Sequence, residues 1–302
     1  MKNKILRILD KLFIIVIILL LYFYSDYYKN NKNKVQERKE EPVVNLVNND
    51  LEIQFIDVGE ADCILINIEN KYVLIDAGNN KDGKNLVNYF KELGITKFNY
   101  VIATHSHEDH IGGMDNIIRE FDINKFLIPD VSVDNMTYTE MIKELNNKNI
   151  NIKTPKVNST FKVNNGYFKV LHIGNNKEDL NENSIVLILT YKNTSYLFMS
   201  DAEKEIELSI LNKNIESDVL KVGHHGSGYS SSAQFINKVK PKYSIISVGK
   251  DNDYGFPKQI TLDKLEKINS KIYRTDINGT IILKSDGNNI EISSKKTNTN
   301  KE

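Results

Sequence analysis

Tyr100-Val101-Ile102-Ala103-Thr104-His105-Ser106-His107-Glu108-Asp109-His110-Ile111-Gly112-Gly113 opens as an apolar, strand-like run and closes on a glycine pair. Between those ends sit three of the chain's six histidines. His105, His107, Asp109 and His110 occupy positions i, i+2, i+4 and i+5. An extended arm presents i and i+2 on one side, and a tight turn then returns i+4 and i+5 beside them. One short segment can thereby feed two adjacent cations, with imidazole and carboxylate donors suited to zinc, manganese or iron. The bland alternative is a polar loop that happens to be rich in histidine. Four ligand-type side chains packed this closely outweigh it.

The His-x-His-x-Asp-His pattern resembles the signature of the metallo-β-lactamase-fold hydrolases, and further segments narrow the likeness. In order, these are Asp57-Val58-Gly59, Leu74-Ile75-Asp76-Ala77-Gly78, Asn183-Ser184-Ile185-Val186-Leu187 and Phe198-Met199-Ser200-Asp201-Ala202-Glu203. Val219-Leu220-Lys221-Val222-Gly223-His224-His225-Gly226-Ser227, Ile246-Ser247-Val248-Gly249 and Tyr273-Arg274-Thr275-Asp276 complete the series. Together they resemble the extracytoplasmic hydrolase domain of the ComEC family of DNA-uptake competence proteins, over residues 50–293. The resemblance implies a four-layer αβ/βα sandwich. A full ComEC protein also carries a polytopic channel region that is not among these residues, so a separate channel protein is an expected partner.

The resemblance also implies roles. His105 and His107 would hold the first of two divalent ions. Asp109, His110 and one histidine of the His224-His225 pair would hold the second, and Asp201 would bridge them. His225 aligns better with the family's His-Gly step, and His224 is the alternative. Asp76 would orient a ligand imidazole; on the residues alone, a turn with Ala77-Gly78 explains it equally well. Asp109 and Asp201 are the expected catalytic carboxylates. Asn183 and Ser227 are read as hydrogen bonders facing the substrate, against ordinary turn residues. Two ions, zinc first and manganese second, would lower the pKa of a shared water toward about 7 and leave a metal-bound hydroxide as nucleophile. No side-chain nucleophile is needed, and Gly226-Ser227-Gly228 is not a nucleophile elbow.

Three departures stand out. Where many relatives of the fold place a further histidine, this chain has Asn183-Ser184, as the ComEC pattern does. Glu60-Ala61 replaces Gln-Gly. Tyr254-Gly255-Phe256-Pro257 resembles Tyr-Gly-His-Pro with the imidazole lost, which removes a proton donor or phosphate contact if that position faces the metals.

The rest of the chain supplies a scaffold. Strands are expected at Leu51–Val58, Cys63–Ile68 and Tyr72–Asp76, joined by tight turns, and again over Ser184–Tyr191, Ser195–Ser200, Asp218–Val222 and Tyr243–Val248. Helical spacing marks Gly83–Leu93, Asp115–Glu120, Asn135–Asn146, Glu203–Leu211, Ala233–Lys238 and Thr261–Ile268. Two β-blocks, each followed by helices, predict a layered α/β (α+β) domain with sheets face to face. Lysine plus arginine equals aspartate plus glutamate at 40 each, so no global basic field announces nucleic-acid binding. Cys63 is the only cysteine, which excludes a disulfide framework.

Lys2, Lys4, Arg7 and Lys11 precede an uncharged Ile- and Leu-rich stretch from Leu12 to Ser25. That is short of the about 20 apolar residues a spanning helix needs, although flanking lysines and tyrosines can extend its reach. Bulky residues follow the run, so residues 1–28 read as an uncleaved N-terminal transmembrane anchor. A cleaved signal and a secreted protein is the alternative. Basic residues ahead of the run place the hydrolase domain outside the cell, on a single-pass membrane protein. Residues 29–49 read as a polar tether, 50–293 as the hydrolase domain and 294–302 as a disordered tail. The expected function is a membrane-anchored, metal-dependent phosphodiesterase or nuclease linked to DNA uptake. The alternatives are a phosphodiesterase on cell-surface phosphocholine or teichoic-acid-like esters, and a non-catalytic binding module that retains the fold.

Overall fold

Residues 50–296 are described in the structure, a computed structural model. The expected anchor and tether lie outside the described residues. Of the expected tail, Ser294 and Lys295 continue the last strand. Among the described residues no helix is long and apolar enough to cross a membrane.

The first sheet is built from β1 (Leu51–Phe55), β2 (Ile64–Ile68), β3 (Lys71–Ile75), β5 (Tyr100–Ile102), β7 (Phe126–Leu127), β8 (Ile152–Lys153), β16 (Thr280–Ser285) and β17 (Ile290–Lys295), in the order β17-β16-β1-β2-β3-β5-β7-β8. The second contains β9 (Thr160–Val163), β10 (Gly166–His172), β11 (Val186–Tyr191), β12 (Thr194–Phe198), β13 (Val219–Lys221), β14 (Tyr243–Ile246) and β15 (Lys271–Arg274), in the order β15-β14-β13-β12-β11-β10-β9. A two-stranded ribbon pairs β4 (Lys97–Phe98) with β6 (Asp122–Ile123). Glu69 and Asn70, at φ 52° and 63°, close the β2–β3 hairpin, the left-handed pair that a two-residue turn requires. β1 and β2 are joined differently from expectation. The chain leaves the ladder after Phe55 and makes a loop from 56 to 63, which lets Glu60 reach the cleft and Asp62 reach Lys221 of the second sheet.

Apolar side chains form three separate layers of core. Between the sheets, Ile53, Phe55, Ile66 and Ile75 meet Phe168, Leu187, Leu189, Tyr196 and Phe198. On the outer face of the first sheet, α1 (Gly83–Glu92), α2 (Glu108–Ile111), α3 (Met114–Glu120) and α4 (Met136–Asn147) supply Leu86, Phe90, Ile111, Met114, Ile117 and Met141. On the outer face of the second, α5 (Lys204–Ile210), α6 (Ala233–Val239) and α7 (Gln259–Lys267) supply Ile206, Phe235, Ile236 and Leu265. Three cores between four layers make an α/β/β/α sandwich. α1 shows how the sequence directs this: Gly83, Leu86, Val87 and Phe90 form one buried stripe, the spacing of an amphipathic helix. Phe90, Phe98 and Phe121 pack edge to face with centroids 5.3–6.2 Å apart, each pair contributing about 0.5–1.5 kcal/mol beyond burial.

Each sheet switches from antiparallel to parallel pairing partway across. β3, β5 and β7 run parallel in one sheet, and β12, β13, β14 and β15 in the other. Parallel strands deliver their carboxyl ends to one edge, where open α/β sheets place their ligands. The residues after β3, β5, β12 and β13 are Asp76, Ala103–His110, Asp201 and His224-His225.

Candidate metal centre

Sharp backbone turns aim these residues. Asp76, Ser200, His224 and His225 all have positive φ, at 58°, 50°, 47° and 49°. Each such position costs on the order of 1–3 kcal/mol and persists only where its surroundings dictate it. Four of them at strand ends around one point mark where strain is spent on geometry. The glycine pair has a steric reason as well. A Cβ on Gly112 would lie 2.2 Å from the Asn79 and Asn80 backbone, and one on Gly113 would lie 2.4 Å from the Ala77 carbonyl oxygen. Only glycine lets α2, with Asp109 and His110, seat against the loop after β3.

Asp109, His110, Asp201 and His225 offer ligand atoms that all lie within 4.8 Å of one another. His110 Nε2 is 3.3 Å from Asp201 Oδ1 and 3.5 Å from Asp109 Oδ2. His225 Nε2 is 3.2 Å from Asp109 Oδ2 and 3.6 Å from Asp201 Oδ2. His105 and His107 adjoin this group: His105 Nε2 is 2.9 Å from His107 Nδ1, and the His105 and His110 ring centroids are 4.1 Å apart. All six side chains therefore converge. The two oxygens of Asp201 face different histidines, Oδ1 toward His110 and Oδ2 toward His225.

His224 does not join them. Its Nδ1 is 2.8 Å from Glu203 Oε1, and its Nε2 stops 3.8 Å from Asp201 Oδ2. Of the two neighbours, His225 is the one that lies in the cluster: its Nδ1 donates to the Ser247 carbonyl at 2.9 Å and leaves Nε2 facing the carboxylates.

Asp76 is buried and accepts three hydrogen bonds, from Thr104 N at 2.9 Å, Thr104 Oγ1 at 2.7 Å and His110 Nδ1 at 2.8 Å. By holding the Nδ1 proton it turns the lone pair of Nε2 toward Asp109 and Asp201, the usual way a carboxylate orients a ligand histidine. A hydroxyl relay extends from it: Ser200 Oγ donates to Thr104 Oγ1 at 2.7 Å, and Thr104 Oγ1 lies 3.2 Å from His105 Nδ1.

The electrostatics describe a site made for a cation. Burial opposes charge on His110, but Asp201, Asp109 and Asp76 raise its pKa well above the usual histidine value. His225 is likewise disfavoured by burial and then pushed up to about 9 by Asp201 and Asp109. Burial raises the carboxyls of Asp109 and Asp201, and the neighbouring histidines more than reverse this, so both end below the usual range. Burial lowers His105 and His107, which favours neutral, ligand-ready imidazole. His110 Nε2 and Asp201 Oδ1 are buried without a hydrogen-bond partner. Unpartnered buried donors and acceptors are costly, and a divalent ion satisfies this pair. The residues present fit divalent metal ions.

Other residues fall outside expectation. Asn183 and Ser227, read as facing substrate, are 1% and 0% exposed. Both amide atoms of Asn183 are taken by the backbone of Asn176, at 2.6 Å each. Ser227 Oγ accepts from Tyr229 N at 3.2 Å. Both brace loops, because their polar atoms are turned inward to the backbone.

Lys221 and Asp62 form an ion pair at 2.8 Å with exposures of 0% and 1%, joining the end of β13 to the loop between β1 and β2. A lysine inside the apolar run Val219-Leu220-Lys221-Val222 was the available signal, since an interior lysine requires a partner. Glu60 was seen only as a substitution. Its Oε2 accepts from Gly249 N at 2.6 Å, while its Oε1 is buried without a partner.

Above the metal-binding residues opens a cleft of about 240 Å³, lined by His107, Asp109, Asp201, His224 and His225 with Glu60, Glu108, Tyr254 and Phe256. A larger hollow of about 470 Å³ beside α1 is lined by Ile56, Leu86, Tyr89 and Thr280 and shares none of the metal-binding residues. Phe256 packs edge-on against His224, with centroids 5.5 Å apart. The position where the resemblance expects an imidazole is therefore in the cleft wall.

The chain is similar to ComE operon protein 3 of Bacillus subtilis, 30% identical over 251 residues, covering 76% of this chain and 32% of that protein. It is similar to Recombination protein 2 of Haemophilus influenzae at 25% identity, covering 82% and 30%, and to Competence protein ComA of Neisseria gonorrhoeae at 24%, covering 77% and 32%. The chain thus spans about a third of the length of these curated relatives. Among solved structures, the metallo-beta-lactamase fold protein YhfI of Bacillus subtilis matches with a TM-score of 0.53 at 9% identity, covering 78% of this chain and 99% of that one. CmlA, a diiron beta-hydroxylase of Streptomyces venezuelae, matches at 0.55 and 12%, covering 79% and 55%. These two show the shared fold. The family model described as "Metallo-beta-lactamase superfamily" matches residues 56–250, and with the sandwich and the strand-end His/Asp cluster in place, the chain belongs to the metallo-beta-lactamase superfamily and resembles the ComEC-type hydrolase domain.

Proposed function

We propose that this protein is a metal-dependent phosphodiesterase whose substrate is a nucleic-acid strand, anchored through residues 1–28 with its hydrolase domain outside the cell. One observation carries the reading: six side chains from three strand ends converge beside an open cleft, with His110 Nε2 and Asp201 Oδ1 buried and unpartnered among them. His105 and His107 would hold one divalent ion and Asp109, His110 and His225 the other, with Asp201 between them; zinc and manganese both suit these donors. Such ions supply Lewis acidity that offsets charge on phosphate oxygens and acidifies water. The chain's own groups do the rest. Asp76 holds the His110 tautomer, Ser247 holds that of His225, and Asp201 keeps the two halves of the site in register. Relatives named for competence and recombination support a nucleic-acid substrate; association with a separate channel protein belongs to the same proposal.

The test is direct. Chelator-stripped protein reloaded with zinc or manganese should hydrolyse oligonucleotides and chromogenic phosphodiesters. Asp201→Asn should lose turnover while keeping its circular dichroism spectrum. Wild-type rates in that variant, or inert metal-loaded protein, would refute the proposal.

A further inference from the structure

Tyr254 is 65% exposed, yet its ring is stacked on Phe256 with centroids 5.4 Å apart and planes 15° from parallel. Phe256 abuts His224, which lies beside Asp201. The exposed ring is therefore the outer member of an aromatic group that forms the cleft wall beside the metal-binding residues.

The loop that carries it is held firmly. Asn252 Oδ1 accepts from Phe256 N at 2.9 Å, and Asn252 Nδ2 donates to the carbonyls of Gly249 and Phe256 at 2.9 and 2.8 Å. Lys258 Nζ donates to the Tyr254 carbonyl at 2.7 Å, and Lys258 N donates to the Gly226 carbonyl at 2.9 Å. That last bond ties the loop to the His224–Ser227 turn, whose continuation carries Tyr229, 77% exposed. An exposed aromatic on a braced loop is a preorganised surface, which loses little entropy on binding.

The charges around the cleft say what this surface is for. Glu60, Glu108, Asp109 and Asp201 line it, and no lysine or arginine is among the described lining residues. The nearest ammonium, Lys258 Nζ, lies outside the lining, 5.4 Å from the Phe256 ring centroid and bonded to the Tyr254 carbonyl, so side-chain ion pairs offer a nucleic-acid backbone little hold within the cleft itself. Beyond the scissile phosphate, binding has to come from the uncharged part of the substrate, and the planar group next to a nucleic-acid phosphate is the base.

We infer that Tyr254, backed by Phe256, is a specificity-determining platform on which the nucleobase beside the scissile phosphate stacks, so that the site selects base-bearing phosphodiesters by the base rather than by backbone charge. This rests on the phosphodiesterase reading above and adds a recognition element to it. Stacking of a base on an aromatic ring changes binding by roughly 5- to 150-fold. Salt dependence, which scales with the number of phosphates neutralised by basic side chains, should be shallow.

Three p-nitrophenyl esters with the same scissile bond test this on the metal-loaded full-length protein: thymidine 5′-phosphate, methyl phosphate and phosphocholine. The thymidine ester should have a kcat/KM on the order of 10- to 100-fold above the methyl ester, mainly through KM. Tyr254→Leu should collapse that ratio toward one and Tyr254→Phe should restore it. Equal rates on all three esters, or a ratio unchanged in Tyr254→Leu, would overturn the platform and leave the phosphodiesterase reading standing. Preference for the phosphocholine ester would overturn it in favour of a cationic group on the non-leaving side. Should no ester be hydrolysed, the phosphodiesterase reading fails by itself. Calorimetric binding of thymidine 5′-monophosphate against methyl phosphate then decides the platform: a preference lost in Tyr254→Leu upholds it, and equal binding overturns it.

Discussion

Replacing Lys221 with methionine removes an ammonium that is 0% exposed and 2.8 Å from Asp62 Oδ2, itself on a side chain 1% exposed. Lys221 Nζ also donates to the Val222 carbonyl at 3.2 Å. The second oxygen of Asp62 already has no hydrogen-bond partner and lies 3.9 Å from His225 Nδ1. A lone carboxylate left in this interior cannot be resolvated, and breaking a buried pair from one side costs about 3–5 kcal/mol. For a domain of this size each kcal/mol moves Tm by about 2–4 °C, so Lys221→Met should melt roughly 6–20 °C lower. Removing both charges with Lys221→Met and Asp62→Leu should recover most of the loss, because apolar replacements of a buried pair are often neutral. Thermal and urea unfolding of chelator-stripped wild type, both single variants and the double variant form a complete cycle. Stripping matters, since a bound ion near His225 would add its own stabilisation. A single variant within about 1 kcal/mol of wild type, or a double variant as unstable as the summed singles, would show that the pair is not a closed electrostatic unit.

Asp76→Asn should weaken divalent-ion binding about 10- to 100-fold while the fold persists, because the amide no longer reliably holds the His110 Nδ1 proton; competition with a chromogenic chelator reads this out. His225→Ala should reduce bound metal per chain by elemental analysis, and His224→Ala should leave it unchanged, since His224 Nδ1 is engaged with Glu203. Ion binding should release protons near pH 7. In metal-free protein His225 titrates at about 9, so it is protonated at pH 7 and affinity should rise with pH until that value is passed. Calorimetry in two buffers of different ionisation enthalpy measures the release, and identical heats would refute it.

The strand-and-turn segment from Tyr100 to Gly113 was legible as a ligand source because its residues are contiguous. Local spacing alone places His105, His107, Asp109 and His110 within reach of one another. The amphipathic stripe of α1 and the Glu69-Asn70 hairpin were legible for the same reason, since both obey short-range periodicity or turn chemistry. The two-sheet architecture followed from the order of the β-blocks. The loop contacts of Asn183 and Ser227 were not legible, because polarity in a loop does not say which way a side chain points, and Asn176 lies close to Asn183 only after the loop folds.

What the sequence by itself determined, then, is the contiguous cluster His105, His107, Asp109 and His110 and the layered scaffold, since both are written in neighbouring residues and short repeats. The tertiary structure alone brought His225 rather than His224 into the cluster with Asp109, His110 and Asp201, paired Lys221 with Asp62 across 159 positions of chain, and set the Tyr254–Phe256 stack at the cleft. Those outcomes depend on which strand ends meet and on left-handed turns at Ser200, His224 and His225. Contacts between distant segments are selected by the packing of both sheets together, and no window of sequence contains both partners.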